Sequence, residues 1–460
     1  MTQTFTQNQT GPDRGEHGDV VFSGPGVLAG RIRLPGYAGP TLVALGLAAS
    51  ARGTSRIDGA ALDPDTEALC AILAGLGIRT RREGNAFVVY GLGPRTLLAP
   101  VGDIDVHGSL PAFVVALGLV GGLPVRARFK GLESLPRDLF ARLAHRIASV
   151  GGVLEAQAGG VVVSDGPDIA LPVTDDRPVA DDFERALTLM LALASPAGSR
   201  IAAAEPEPLA SLYKAFGIEI GYAEPTRRQP GFIRIHGFAR AEAGRVTMPT
   251  DPAIAAAVAL YALATPGSEL TIENVLVTPG RAGVLDALLA MGANLDLVDP
   301  RPVGSEQVAD LFVRSAPLYP VILPPEDLAR IAPTRLARSV LAVAAGLADQ
   351  ESRLEGLAAE EATTFARLLD RLGLWTRAEG TGLRVRGHRR PTGGAVTLDD
   401  AGDMLAFGAF ASAARKARLR MRVPALAPSV AILVDLQRLG LAVELQLPGH
   451  GAQAGPEGKP

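Results

Sequence analysis

Acidic side chains are the ones most obviously spaced for chemistry. The segment TLDDAGDM carries Asp399, Asp400 and Asp403, and residues three or four apart share a helix face, where carboxylates can converge on a divalent cation. The same segment also reads as a helix start, a cap followed by first-turn acids that suit the helix dipole. A second acid pair, Asp181 and Asp182, lies in RPVADDFERA, and a third, Glu360 and Glu361, in AAEEATTF. Positive charge is almost all arginine, with only Lys130, Lys214, Lys416 and Lys459 among 45 basic residues. The six histidines (17, 107, 145, 236, 388 and 450) have no metal-ligand spacing, and His145 in ARLAHRIASV reads as a helix-face residue. The single cysteine, Cys70, sits in the apolar run ALCAILAGL, which suits buried filler better than a reactive thiol. One cysteine excludes an internal disulfide and a cysteine zinc site. Glycine-rich pieces such as GVLAG have no phosphate-loop or dinucleotide pattern. Neither a metal nor an organic cofactor is expected.

These residues must be carried by a chain of 460 residues, too long for one core, so two or three domains are expected. Hydrophobic residues make up 47% and charged residues 20%, the balance of an ordinary globular protein. A net charge of −3 provides no basic field for nucleic acid or an anionic membrane. The first 19 residues lack the basic start and apolar run of a signal peptide, and with residues 449–460 they are expected to be disordered tails. The longest apolar stretches, PAFVVALGLVGGLPV and PAIAAAVALYALATPG, fall short of the roughly 18 to 20 residues of a membrane span. A cytoplasmic protein is expected.

One pattern organises the whole chain. AILAGLGIRT, RIASVGGVLE, LYKAFGIEIG, LLAMGANLDL, LLDRLGLWTR and LQRLGLAVEL each end a helix-like run in a glycine and continue as a strand. Their marker glycines are Gly77, Gly152, Gly217, Gly292, Gly373 and Gly440. A helix C-terminus often needs one residue with positive φ before the chain turns, which suits glycine. Each copy is preceded by a helix that is apolar nearly all round, such as PAFVVALGLVGG or AIAAAVALYALA, so that helix belongs inside a core. Alternating runs such as VRARFKG and GVVVSDG supply strands. The unit is strand–helix–strand–helix–strand–strand, used six times. The expected fold is α/β of the α+β type, with three units in each of two domains. The linking breaks are LPGYAGP (34–40) and MPTDPA (248–253), where proline stands beside glycine or aspartate.

This layout, with its local wording, resembles the enolpyruvyl transferase family, and within it the 5-enolpyruvylshikimate-3-phosphate synthases. The likeness spans roughly residues 22 to 447. It is carried by RIRLPGYAGPTLVALGLAASARGTSRIDGAALDPDT, by MPTDPAIAAAVALYALATPGSELTIENVLVTPGRAGVLDALLAMGANL and by VADLFVRSAPL. The resemblance implies a two-domain inside-out α/β barrel, with residues 20–36 and 250–448 in one domain and 37–249 in the other. It also implies enolpyruvyl transfer from phosphoenolpyruvate to shikimate 3-phosphate, with phosphate released and no metal or cofactor used.

The family's substrate motifs are replaced position by position. Its PGxKSxSxR opening reads PGYAGPTLV, with Ala38, Gly39 and Val43 where the family has Lys, Ser and Arg. Its Gly-Asn-Ala/Ser-Gly-Thr turn, with an Arg soon after, is shortened to His107, Gly108, Ser109, Leu110 and Pro111, then Val114. The phosphate-holding Ser-Ser/Ala-Gln becomes Ala180, Asp181 and Asp182, and the Arg-Pro pair becomes Asp138-Leu139, with Arg137 one place away. A loop that supplies Ser and Arg reads EPEP, Glu205 to Pro208. The proton-handling Asp falls on Leu336, and Lys-Glu-Ser/Thr-Asp-Arg is replaced around Glu360 and Glu361. Asp-His-Arg-x-Ala-Met reads DDAGDM, which keeps Asp399 and Met404 and sets Asp400 and Ala401 in place of His-Arg. The late Lys-Ser/Thr-Phe-Pro reads APSV, Ala427 to Val430, and no lysine falls on a family lysine position. Asp65 has the offset of a helix cap, and Arg281 in PGRAG starts a helix and braces the fold.

Phosphates carry roughly −1.5 to −2 charges each, and acids now stand where they would dock. Truncating one partner of a buried charge pair costs about 2 to 5 kcal/mol, and losing a general acid or base costs about 10²- to 10⁴-fold in rate. The sequence therefore points to a family member with no catalytic residues left. Such a protein would bind a small molecule in the inter-domain cleft, or a partner enzyme, and act as a monomer without nucleic acid or membrane. A working 3-phosphoshikimate 1-carboxyvinyltransferase is the alternative.

Overall fold

The computed structural model describes residues 17–446 apart from 94–95, 176–178, 180–181, 205, 228, 238, 304–305, 388–393, 399–400, 411–418 and 425–427. Within it the chain forms two compact units. One comprises Met1–Leu34, Pro252–Pro300 and Ala309–Pro460, the other Pro35–Asp251 and Arg301–Val308. The segment Arg301–Val308, which the sequence reading placed with the former, groups with the latter.

Among the described residues each unit has three four-stranded sheets. The sheet around residues 104–165 shows the plan. Ile104–Asp105 runs parallel to Arg126–Lys130, with Ile104 opposite Phe129. Arg126–Lys130 is antiparallel to Val161–Asp165, which is antiparallel to Val153–Gln157. The helix Leu110–Val120 joins the first two strands, and the helix Arg137–Ser149 leads from the second into the hairpin. A parallel pair cannot be joined by a tight turn, so the apolar helix is the crossover. In two sheets of the first unit and one of the second the plan is closed by strands distant in sequence; Ala29–Ile32 lies parallel to Glu269–Leu276, with Ile32 opposite Ile272. His17–Phe22 lies between Leu419–Pro424 and Val443–Gln446, with Val20 opposite Met421 and Leu445. Arg245–Thr247 lies parallel to Arg52–Asp58, with Val246 opposite Ile57.

The crossover helices make the cores. In Leu110–Val120 every residue from Ala112 to Val120 is buried and none is charged. Pro252–Ala264 is likewise buried from Ala255 to Leu263. Each fully buried Val, Leu or Phe contributes roughly 1.5–3 kcal/mol. Each unit has its own apolar cluster, the first around Val258, Leu341 and Phe407, the second around Leu45, Val115 and Leu191.

Local details correct the sequence reading. Gly77, Gly217, Gly292, Gly373 and Gly440 take positive φ, but in SVGG it is Gly151 (φ 91°) and not Gly152 that does so. The helix Pro64–Gly75 is capped by Asp63, whose carboxylate accepts from the Thr66 amide at 2.7 Å, so Asp65 is a first-turn acid and not the cap. Arg281 lies in the turn before the helix Gly283–Ala290, with its amide donating to the Thr278 carbonyl at 3.0 Å. His17–Asp19 are strand residues and not part of a tail. The rest of the expected tails, 1–16 and 449–460, lies outside the described residues. Burial pushes the Cys70 thiol up to about 11, away from thiolate chemistry.

Candidate functional site

The family-motif positions fall at helix starts, so the question is what each start presents. In the unit Pro35–Asp251 the helices Leu110–Val120 and Asp182–Ala194 run parallel. Gly118 lies against Leu187 and Met190, Gly121 against Leu191 and Gly122 against Ala194. Their N-termini therefore share one end. The turn before the first is tight, with His107 at φ 52° and Gly108 at φ 70°, and the His107 amide donates to Asp105 Oδ1 at 2.7 Å. Ser109 is the cap. Its hydroxyl accepts from the Ala112 amide at 3.1 Å and is buried, so it is engaged in starting the helix.

The second of these helices presents Glu184 in its first turn. Glu184 is 2% exposed and accepts from Arg146 Nε at 3.0 Å, and Arg146 is itself 2% exposed. It also accepts from Arg142 Nε at 3.1 Å. Arg142 reaches back to Asp138, four residues earlier on the helix Arg137–Ser149, at 2.9 Å. The Arg142 guanidinium holds the Asp138 carboxyl below its ordinary range. The structure thus joins Asp138 to Glu184 through Arg142. The sequence reading singled out Asp138 and missed Glu184, Arg142 and Arg146. Arg137 is exposed at the first position of that helix.

The helix Ala38–Ser50 begins without a side-chain cap at Tyr37. Thr41 ties this start to the chain around Ala61, since its hydroxyl donates to the Tyr37 carbonyl at 2.8 Å and accepts from the Ala61 amide at 3.1 Å. Ala38 and Gly39 are half-buried, with open space where a Gly39 side chain would stand, and Val43 is a core residue. These three positions hold no polar side chain. Asp182 opens its helix, while Asp181 lies outside the described residues, as do Glu205, Asp399, Asp400 and Ala427.

In the other unit the helix Arg335–Leu347 is capped by Thr334, whose hydroxyl accepts from the Ala337 amide at 3.2 Å. Leu336 packs against the core as an apolar residue. Its neighbour Arg335 donates to Asp403 at 2.7 Å, and the Ser339 hydroxyl donates to the same carboxylate. Asp403, in the first turn of Ala401–Phe407, is 2% exposed. Asp403 is the first-turn acid that the sequence reading offered, and its carboxylate is buried and paired. Arg338 makes a two-pronged pair with Glu361 at 2.7 and 2.8 Å and donates to the Ala332 and Pro333 carbonyls. Glu361 is nearly buried, so it is a structural counter-ion.

The chemistry available follows from this pairing. Arg142, Arg146, Arg335 and Arg338 are committed to Glu184, Asp403 and Glu361. Lys130 sits on a sheet beside Asp105 at 3.6 Å, and Lys214 is in the last turn of Ala210–Ala215. Among the described residues no group of three His, Cys, Asp or Glu is placed to hold a metal ion, and no helix is long and apolar enough to cross a membrane.

Comparison with known proteins places this arrangement. The family model described as EPSP synthase (3-phosphoshikimate 1-carboxyvinyltransferase) matches residues 186–414. The chain is 33% identical over 385 residues to a 3-phosphoshikimate 1-carboxyvinyltransferase of Methylobacterium sp. (strain 4-46), covering 81% of this chain and 85% of that one. It is 32% identical over 337 residues to the protein of the same name from Parvibaculum lavamentivorans, covering 72% and 74%. In fold it is similar to the EPSP synthase of Acinetobacter baumannii, with a TM-score of 0.78 at 20% identity over 94% of this chain and all of that one. It is also similar to the enolpyruvyl transferase NikO of Streptomyces tendae, with a TM-score of 0.72 at 18% identity over 94% and 99%. By sequence and by fold, the chain belongs to the EPSP synthase family.

Proposed function

We propose that this family member does not transfer enolpyruvyl and serves as a binding or regulatory protein. The observation that carries the reading is the fate of its cations. At positions matching the family's Lys, Ser and Arg stand Ala38, Gly39 and Val43, while Arg146 is neutralised by Glu184 in the same unit and Arg335 by Asp403 in the other. A buried guanidinium already paired to a carboxylate has little left to offer a phosphate. The acids Asp181, Asp182 and Asp400 add repulsion to a phosphorylated ligand. The ligand is then a non-phosphorylated or cationic small molecule, or the surface serves a partner enzyme. We propose a cytoplasmic monomer that engages neither nucleic acid nor membrane. A working carboxyvinyltransferase is the second reading, favoured by the 33% identity to a curated relative of that name.

The deciding experiment measures phosphate release from phosphoenolpyruvate plus shikimate 3-phosphate, with Asp181→Ala/Asp182→Ala as control, and thermal shift with each substrate alone. No turnover and no shift is the expected result. Turnover at ordinary enzyme rates of about 1–10³ s⁻¹ would establish the second reading. A ligand-binding role further requires that Asp181 and Asp400 substitutions abolish binding. A scaffold would be indifferent to them and would co-purify with its partner.

A further inference from the structure

The outer faces of the six sheets are rich in arginine, and five of them supply their own counter-ions. Arg56 and Arg245 pair with Asp58. Arg126 and Arg128 pair with Asp165 and Asp103. Arg31 pairs with Glu273 and Asp310, Arg353 and Arg384 with Glu351, and Arg420 with Asp19.

The sixth sheet differs. Its three longer strands, Ser199–Ala202, Phe232–Ile235 and Ile220–Ala223, read SRIA, FIRI and IGYA and contain no carboxylate. Arg200 and Arg234 are directly opposite each other across the antiparallel pair, and both are exposed. Both guanidinium carbons lie over the Phe232 ring, at 4.0 and 5.6 Å from its centroid. Among the described residues no carboxylate lies within ion-pair distance of either. Like charges directly opposite on neighbouring strands destabilise a sheet, and among the described side chains of this sheet only the Phe232 ring offsets that cost.

We infer that this face is a binding site for phosphate-type oxyanions, held by Arg200 and Arg234 with Phe232 as the platform. The ring holds both guanidinium groups by cation–π attraction, more closely Arg200, and leaves N–H groups for a bidentate oxyanion. Gly221, opposite Arg234, adds no side chain over the site, and the exposed Thr174, opposite Arg200, brings a hydroxyl to its edge. An anion bridging the two arginines replaces their repulsion with two attractions. The site is separate from the helix starts where the family's substrate motifs fall, because it lies on the solvent face of a sheet.

The test is calorimetric titration of the full chain with inorganic pyrophosphate at constant ionic strength. Saturable binding is expected in the wild type and in Arg128→Gln, whose guanidinium already pairs with Asp103. Arg200→Gln/Arg234→Gln should weaken it by about tenfold or more. In low salt without ligand, Arg234→Gln should raise the melting temperature, because it removes the repulsion; this also guards against a variant that fails simply by unfolding. Absence of saturable binding in the wild type, a smaller loss in the double variant, or an equal loss in Arg128→Gln would overturn the inference.

Discussion

Each unit buries a carboxylate at the third residue of a helix, Glu184 in Asp182–Ala194 and Asp403 in Ala401–Phe407, and each is 2% exposed. Their partners differ. Glu184 is held by two arginines from one amphipathic helix, and one of these, Arg146, is as buried as the acid. Asp403 is held by Arg335, a third exposed, and by the Ser339 hydroxyl. The first acid keeps one cation, Arg146, shut away from water beside a second, Arg142, at the surface, whereas the arginine of the second acid is itself at the surface. The lesson is that equal burial of two acids says little about what their loss would cost. The accessibility of the cation left behind decides.

Glu184→Ala is where the contrast should be widest. It removes the buried carboxylate that faces the buried Arg146 guanidinium, and breaking a buried pair in this way costs about 3–5 kcal/mol. Asp403→Ala should cost less, about 1–3 kcal/mol, because Arg335 can turn to solvent and the Ser339 hydroxyl still has the Arg335 carbonyl as an acceptor at 3.1 Å. Urea unfolding of both variants checks the order; equal losses would break the comparison. Replacing the closed pair outright, with Glu184→Leu/Arg146→Met, should recover most of the Glu184→Ala loss, since a well-packed apolar pair is often neutral or better. Failure to recover would mean that the ion pair fixes the helix register as well. The helix caps beside the clusters provide a smaller comparison. Ser109→Ala and Thr334→Ala should each cost about 1 kcal/mol, with similar values expected because both hydroxyls serve one amide.

The smallest effect concerns Asp138. Arg142 lowers its folded-state pKa, so its contribution is present above the unfolded carboxylate range and is lost as pH falls through the folded value. Asp138→Asn should leave the pH 7 melting temperature close to wild type and flatten its decline on the acid side. An acid-side decline unchanged in Asp138→Asn would show that the Arg142 pair contributes nothing measurable.

Much of the fold was legible because its signals are local. Proline and serine at the start of LPAFVVALGLV, and an apolar run without charge, specify a capped and buried helix. Five marker glycines sit at positive φ for the reason their position suggests, while SVGG offers two glycines and the chain uses the earlier one. Asp63 and Asp65 were separable only by geometry, since either offset could cap TEALCAIL. The charge clusters were not legible. Glu184 and Arg146 are 38 residues apart, and Arg335 and Asp403 are 68 apart. A first-turn acid looks the same in sequence whether it meets water or a distant guanidinium. The amphipathic face bearing Arg142 and Arg146 was the available hint, although nothing local named its partner.

The strand His17–Phe22 carries a consequence for how the molecule is made. Its neighbours, Leu419–Pro424 and Val443–Gln446, leave the ribosome roughly 400 residues later, which at about 5–20 residues per second is roughly 20 to 80 s. For that interval an apolar strand with two open edges has no native partner, while Arg52–Asp58 waits only half as long for Arg245–Thr247. The late-closing sheet, more than any buried charge, sets when the newborn chain stops being vulnerable to aggregation.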